Sequence, residues 1–289
     1  MAGGLKLGKG AVVVTGTSTG IGAASAMHLD SLGFCVFAGV RREKDGETLA
    51  QKSAGRITPL VIDVTDEGSM TAAAETVAAT VGDAGLFGLV NNAGIAVAGP
   101  LEFLPLFEIR KQFDVNVVGP IAVAQAFLPL LRASRGRIVN IGSIAGRMAM
   151  PFMGPYSASK FALEAITDAL RIELRPWGIS VSIIEPGEVA TPIWRKSLAA
   201  TKQTAQNFPP GASALYDASL KAVMAAAEQA AGGGMDPDRI ARAVAVALTA
   251  KNPKTRYLVG RGVRLRAFLK KTLPDRRLDR LLIRQLGLP

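Results

Sequence analysis

Apolar residues fall along the chain in short continuous runs, separated by longer amphipathic or alanine-rich stretches. Seven runs read as strands: Ala11–Thr15, Phe34–Val40, Thr58–Ile62, Leu86–Asn91, Arg137–Ile141, Ser180–Glu185 and Arg256–Val259. Because these runs are apolar throughout and do not alternate, they predict strands covered on both faces. Segments of helical length lie between them. The pattern therefore predicts a doubly wound, seven-stranded parallel sheet with helices on both faces.

The rhythm changes after Pro186. Residues 190–234 read as a long, mostly helical insertion, with loop signals at Pro209, Pro210 and Gly211 and a Gly-Gly-Gly stop. Asp236 and Pro237 then read as the N-cap and first-turn proline of another helix. No clean boundary divides residues 1–260, which are expected to form one domain carrying the insertion, with 261–289 as a basic C-terminal extension. The uncharged run Val115–Leu131 contains Asn116, Pro120, Gln125 and Pro129, and reads as a buried helix and not a membrane span.

Of 289 residues, 49% are hydrophobic and 20% charged, a balance that predicts a globule. One cysteine and one histidine leave no internal disulfide and no Cys-rich metal site, so no metal is expected and any catalysis proceeds without histidine. Cys35 falls in a strand, as an inert core thiol, and His28 on a helix, as a structural or solvated residue. The opening MAGGLKLGKGAVVVTG lacks an apolar leader core and a cleavage site, so a cytoplasmic location is expected. The net charge is +11, of which the stretch from Arg261 to Pro289 supplies most, with nine Lys/Arg against two Asp.

Candidate chemistry begins at the first strand. The loop Thr15 to Gly22 has glycines at 16, 20 and 22 between a strand and a helix. Glycines there let the backbone turn sharply and approach a pyrophosphate, and the helix N-terminus supplies unpaired N–H groups. The spacing departs from G-x-G-x-x-G, and alone it fits a ligand-free turn equally well. The second strand ends Gly39-Val40-Arg41-Arg42, with no carboxylate for ribose hydroxyls. Arginines there suit a 2′-phosphate, so NADP(H) is favoured over NAD(H).

Several motifs then fall in order: Thr15-Gly16 with Gly20-Ile21-Gly22, Asp63-Val64, Asn91-Asn92-Ala93-Gly94, Asn116-Val117 with Gly119, Ser143, Tyr156 with Lys160, and Pro186-Gly187 with Thr191. In this order they resemble the short-chain dehydrogenase/reductase family over about 11–191. The resemblance implies a Rossmann-type domain and a catalytic tetrad of Asn116, Ser143, Tyr156 and Lys160. It implies cofactor contacts from Gly16, Thr17, Ser18, Thr19, Gly20, Ile21, Gly22, Arg41, Arg42, Asp63, Val64, Asn92, Ala93, Gly94, Pro186, Gly187, Val189 and Thr191, besides Tyr156 and Lys160. In it, Asn116 holds a water in a proton relay. Thr19 stands where NADP-preferring members often carry a basic residue.

Tyr156 and Lys160 share one helical face at i, i+4. An ammonium beside a phenol favours the phenolate, so Lys160 is expected to lower the Tyr156 pKa and make it a general acid/base. The stretch MAMPFMGP before Tyr156 places Met148, Met150, Phe152 and Met153 beside the chemistry, and the insertion adds Trp194. These predict an apolar, adaptable pocket for a lipophilic secondary alcohol or ketone, most similar to the hydroxysteroid and retinol dehydrogenase branch. A 3-oxoacyl thioester reductase is the alternative enzyme, and a non-catalytic dinucleotide-binding regulator the alternative from another class. The resemblance implies a homodimer or homotetramer paired through residues 109–131 and 157–176.

In the tail, Leu278, Leu281, Leu282 and Leu286 form a stripe among arginines. Two readings stand: a helix lying on an anionic membrane surface, or a helix packed on its own domain or a second subunit. Nothing in the chain resembles a groove-reading motif, so no nucleic acid is expected.

Overall fold

The computed structural model describes residues 8–206, 208–209 and 211–288. The opening residues 1–7, part of the segment on which the leader expectation rests, and Pro210 lie outside the described residues. The first half builds β1 (Ala11–Val14), α1 (Gly20–Ser31), β2 (Cys35–Val40), α2 (Glu43–Ala50), β3 (Ile57–Val61), α3 (Glu67–Val81) and β4 (Gly88–Asn91). Next come α4 (Leu106–Phe113), α5 (Gly119–Ser134), β5 (Arg137–Ile141), α6 (Gly154–Glu173) and β6 (Ser180–Pro186). The remainder is α7 (Pro192–Ala205), α8 (Ala212–Gly233), α9 (Pro237–Thr249), β7 (Arg256–Val259), α10 (Val263–Thr272) and α11 (Asp275–Leu286).

All seven strands pair in parallel, in the order β3-β2-β1-β4-β5-β6-β7. Alternate side chains of each strand go to opposite faces. Ala11 and Val13 join Phe37, Val123, Phe127 and Leu131 under α3 and α5. Val12 and Val14 join Leu29, Ile240, Val244 and Leu248 under α1 and α9. Both faces are apolar because both are covered, which is why the runs do not alternate. Burying a phenylalanine such as Phe127, which is fully enclosed, stabilises the fold by about 1.5–3 kcal/mol.

The strand order reverses between β1 and β4, so the loops after these two strands diverge and leave a crevice at their C-terminal ends. The uncharged run 115–131 forms most of α5, whose Val123, Phe127 and Leu131 pack on the sheet. With α4 it makes a helical stretch, Leu106–Ser134, long and apolar enough to cross a membrane. The insertion is the pair α7 and α8. At α9 the Asp236 carboxylate accepts a hydrogen bond from Asp238 N, the expected cap.

The tail folds back. Leu278 and Leu282 of α11 are buried against Met148, with Met150 beside them, while Leu281 and Ile283 stay exposed.

Candidate active site

Two cavities meet at the C-terminal edge of the sheet. The first, of about 250 Å³, runs along the ends of β1 to β6. Gly16 (φ 70°) and Gly20 (φ 62°) adopt left-handed backbone there, which glycine takes without strain. Gly22 has no room for a side chain: a Cβ would lie 2.3 Å from Gly16 O and 2.4 Å from Asn92 Nδ2. The turn is tied to the loop after β4, because Thr15 Oγ1 accepts from the N–H groups of Asn92 and Ala93, both at 3.0 Å. Asn92 Nδ2 in turn donates to Thr15 O at 2.8 Å. Thr17 faces inward and donates to Gly39 O at 3.0 Å, holding β2 to the turn.

Ser18, Thr19, Gly20 and Ile21 line the cavity. Thr19 caps α1 in extended conformation without a side-chain cap bond, so the first N–H groups of α1 remain open to an anion. This cradle fits the pyrophosphate of a dinucleotide. Arg41, Asp63, Val64, Asn92, Ala93 and Gly94 continue the wall, and Pro186, Gly187, Val189 and Thr191 close it. Asp63 accepts from Thr65 N at 3.0 Å. That bond holds its carboxyl below the ordinary range, with burial acting against it. Arg42 stands outside this wall. Its guanidinium makes two 3.0 Å bonds to Asp45 at the start of α2, and its side chain is 79% exposed.

Ser143, Tyr156 and Lys160 line the same cavity. Ser143 follows β5 and accepts from Ala145 N at 3.1 Å. Lys160 Nζ donates to Ile141 O at 2.8 Å and lies 5.9 Å from the Tyr156 ring centre. The phenol does not behave as the spacing predicted. Burial pushes the Tyr156 pKa up, opposed by a hydrogen bond with Ser143. Burial lowers Lys160 to about 8, opposed by the Glu164 carboxylate. Desolvation is the larger cause at both groups because both are enclosed. The phenol is therefore protonated at neutral pH.

Asn116 sits in a π-helical turn, Asp114–Val118, between α4 and α5. Its carboxamide accepts from Ile95 N at 2.9 Å and donates to Ile95 O at 3.0 Å. It also reaches Ser159 Oγ at 3.2 Å. The side chain thus pins the loop after β4 to α6, and its relay role is not visible in these bonds. Such π turns recur at functional sites. Gln112, unmarked by any motif, pins the same loop through Val97 N at 2.7 Å and Ile95 O at 3.1 Å.

The second cavity, of about 540 Å³, is larger and mostly apolar. Met148, Met150, Phe152, Met153 and Trp194 all line it, with Leu198 of α7 and Leu220 of α8. Phe152 takes φ 60°, a left-handed conformation that a bulky side chain rarely adopts. Its carbonyl accepts from Gly99 N at 2.8 Å. Tyr216 of α8 packs edge-on to Phe152 at 6.0 Å and bonds Glu102 at 2.8 Å, tying the insertion to the loop after β4. Glu188, Arg266, Gln285 and Leu286 complete the wall. The motifs did not mark these four. Glu188 adjoins Pro186-Gly187, which is a usable signal, but nothing local placed α10 and α11 here.

Behind Lys160 lies a chain of charges that spacing did not reveal. Glu185, fully buried at the end of β6, pairs with Arg147 through both oxygens. Arg256 of β7 bonds Glu164 at 3.0 Å and Asp168 at 2.5 Å. Burial, reinforced by Glu185, pushes Glu164 up to about 7.

The short chain dehydrogenase family model matches residues 10–202. Retinol dehydrogenase 5 of Mus musculus is 38% identical over 277 residues, 94% of this chain and 87% of that protein. Mitochondrial D-beta-hydroxybutyrate dehydrogenase of Rattus norvegicus is 36% identical over 259 residues, 86% of this chain and 76% of that one. A short chain dehydrogenase from Burkholderia cenocepacia, solved in complex with NADP, superposes with a TM-score of 0.71 at 26% identity, covering 96% of this chain and 98% of that one. The family match takes in every residue that lines the smaller cavity, and the chain belongs to the short-chain dehydrogenase family, as an oxidoreductase acting between alcohols and carbonyls with a nicotinamide dinucleotide.

Proposed function

We propose that the chain reduces a lipophilic ketone, or oxidises the matching secondary alcohol, with NADP(H) as the preferred cofactor and Tyr156 as general acid/base. One observation carries this reading. Ser143, Tyr156, Gly187 and Trp194 line both cavities, so the proton donor stands where the polar cleft meets the apolar one.

The dinucleotide supplies the hydride when bound. The cradle at Gly16 to Gly22 holds its pyrophosphate, Arg41 favours the 2′-phosphate, and Thr191 lies beside Gly20 to position the far end. The Tyr156 hydroxyl, protonated at neutral pH, gives its proton to the substrate oxygen in reduction. Ser143 bonds that oxygen as negative charge develops. The Lys160 ammonium steadies the phenolate that remains. The methionine wall and Trp194, whose ring is 6.3 Å from that of Tyr156, exclude water from the reacting carbon.

Exposed Leu106, Phe107, Val118, Phe161 and Ile172 on α4 to α6 support pairing of two copies through those helices. The proposed location is cytoplasmic, with peripheral contact to a membrane left to the exposed Leu265, Phe268, Leu281 and Ile283 of the tail.

The test is a cofactor-absorbance assay with NADPH and NADH over steroids, retinoids, long-chain oxo-esters and small sugars. The expected result is turnover of a lipophilic ketone with NADPH preferred. Tyr156→Phe should lower kcat by about 10²–10⁴ and leave NADPH affinity unchanged. Undiminished turnover in that variant removes the mechanism, and preference for sugars removes the lipophilic substrate.

A further inference from the structure

The larger cavity carries an ion pair that this chemistry does not use. Among its described lining residues only Glu188 and Arg266 carry opposite charges at neutral pH; the rest of the wall is mostly methionine, leucine, aromatic and small residues. Glu188 follows the Pro186-Gly187 turn, and Arg266 lies in the first half of α10. Arg266 Nη1 bonds one Glu188 oxygen, with the two side chains 25% and 40% exposed. A guanidinium has five N–H donors in a planar fork. Among the described residues, only that one side-chain bond is made.

A charged pair in an apolar wall keeps its place at a desolvation cost. A hydrocarbon filling the cavity would strip water from the unused donors and return nothing. A carboxylate would complete the fork in bidentate geometry, while the more exposed Glu188 turns to water. The surrounding charge has the right sign. The tail from Arg261 on has nine Lys/Arg against two Asp, and Arg264, Lys271, Arg276, Arg277, Arg280 and Arg284 are exposed. Such a field draws anions toward the mouth. The volume, about 540 Å³, suits a drug-sized ligand.

We propose that Arg266 is the recognition group for an anionic amphiphile, an oxo- or hydroxy-acid whose apolar body lies along Met148, Met150, Leu198 and Leu286 and whose carboxylate displaces Glu188. This deepens the lipophilic-substrate reading and rests on it for the reacting end alone.

Binding is measured without catalysis. Decanoate and 1-decanol are titrated into the full-length chain at pH 8, following emission of Trp194; Trp177 lies outside the cavity. Decanoate should bind about tenfold more tightly than decanol, the size of one charge-assisted contact. Arg266→Met should bring the two to equal affinity. Glu188→Gln removes the competitor without removing the arginine, and should tighten decanoate several-fold while leaving decanol unchanged. Equal binding of the two ligands, a preference that survives Arg266→Met, or weaker decanoate binding in Glu188→Gln each overturns the proposal and leaves the lipophilic cavity standing. Binding of neither ligand removes both readings.

Discussion

The polar cleft and the apolar cavity share a wall at Ser143 and Tyr156, and are built by opposite means. The cleft is made of strand ends and backbone. Its tight contacts are Gly22 against Gly16 O, and Thr15 between Asn92 and Ala93. The cavity is made of side chains far apart in sequence, from the loop before α6 (Met148 to Met153) and from α7, α8, α10 and α11. A ligand of constant shape can be held by backbone groups, whose geometry survives most substitutions. A variable ligand is held by adaptable side chains such as methionine. The difference predicts that cleft variants act on cofactor and chemistry, and cavity variants on substrate alone.

The sharpest way to break this comparison is at Lys160, which lines the cleft and is proposed to serve the chemistry there. Lys160→Met should lower kcat by about 10²–10³, in the range of lost acid/base assistance. It should also raise thermal stability at pH 7. The folded pKa, about 8, lies below the ordinary lysine value of 10.5, so the buried charge costs about 3 kcal/mol below pH 8. That cost fades as pH climbs toward 10.5, and the variant's advantage should fade with it in melting curves across pH. In the parent enzyme, kcat/KM for reduction should fall as pH rises through about 8, where Lys160 loses its proton.

Gly22→Ala comes next. Both atoms in the way belong to the cradle, so the turn must shift. NADPH affinity should drop by about a hundredfold, with about 1–3 kcal/mol lost in stability. Calorimetric titration with NADPH checks it; unchanged affinity would mean the cradle is not where the dinucleotide sits.

Arg41 and Arg42 separate neighbours that sequence treats alike. Arg41→Ala should weaken NADPH binding about tenfold, the loss of one charge-assisted contact, and leave NADH unchanged. Arg42→Ala should stay within about twofold for both cofactors, because that side chain is engaged by Asp45 and 79% exposed.

The smallest effect on the cleft is expected from the far side of the cavity. Leu278→Ala with Leu282→Ala unseats α11 from Met148 and Met150. KM for a lipophilic ketone should rise several-fold while NADPH affinity stays level. A fall in NADPH affinity of equal size would show that the two cavities are not separable.

Much of the cleft was legible in the chain because its signals are local. A strand ends, a glycine takes positive φ, and Tyr156 and Lys160 fall one helical turn apart. The seven apolar runs gave the strands to within two residues at each end, because the sheet buries both faces. The pocket wall was partly legible, since Met148, Met150, Phe152 and Met153 sit next to Tyr156 in sequence and in space. The roles of Asn116 and Gln112 as pins for the Ile95 loop were not legible, because their partners lie at least 15 residues away.

What the sequence by itself determined was the set of elements, the glycine cradle and the placing of Tyr156 one turn from Lys160, all written within one turn or one strand. Tertiary structure decided the rest. It enclosed Tyr156 and Lys160 and so reversed the expected direction of the phenol's pKa. It set Arg41 in the cleft and Arg42 outside it, and turned Leu278 and Leu282 inward. It also brought Arg266 to Glu188 across 78 residues of chain. Burial and long-range contact depend on which surfaces meet, and no short segment carries that information.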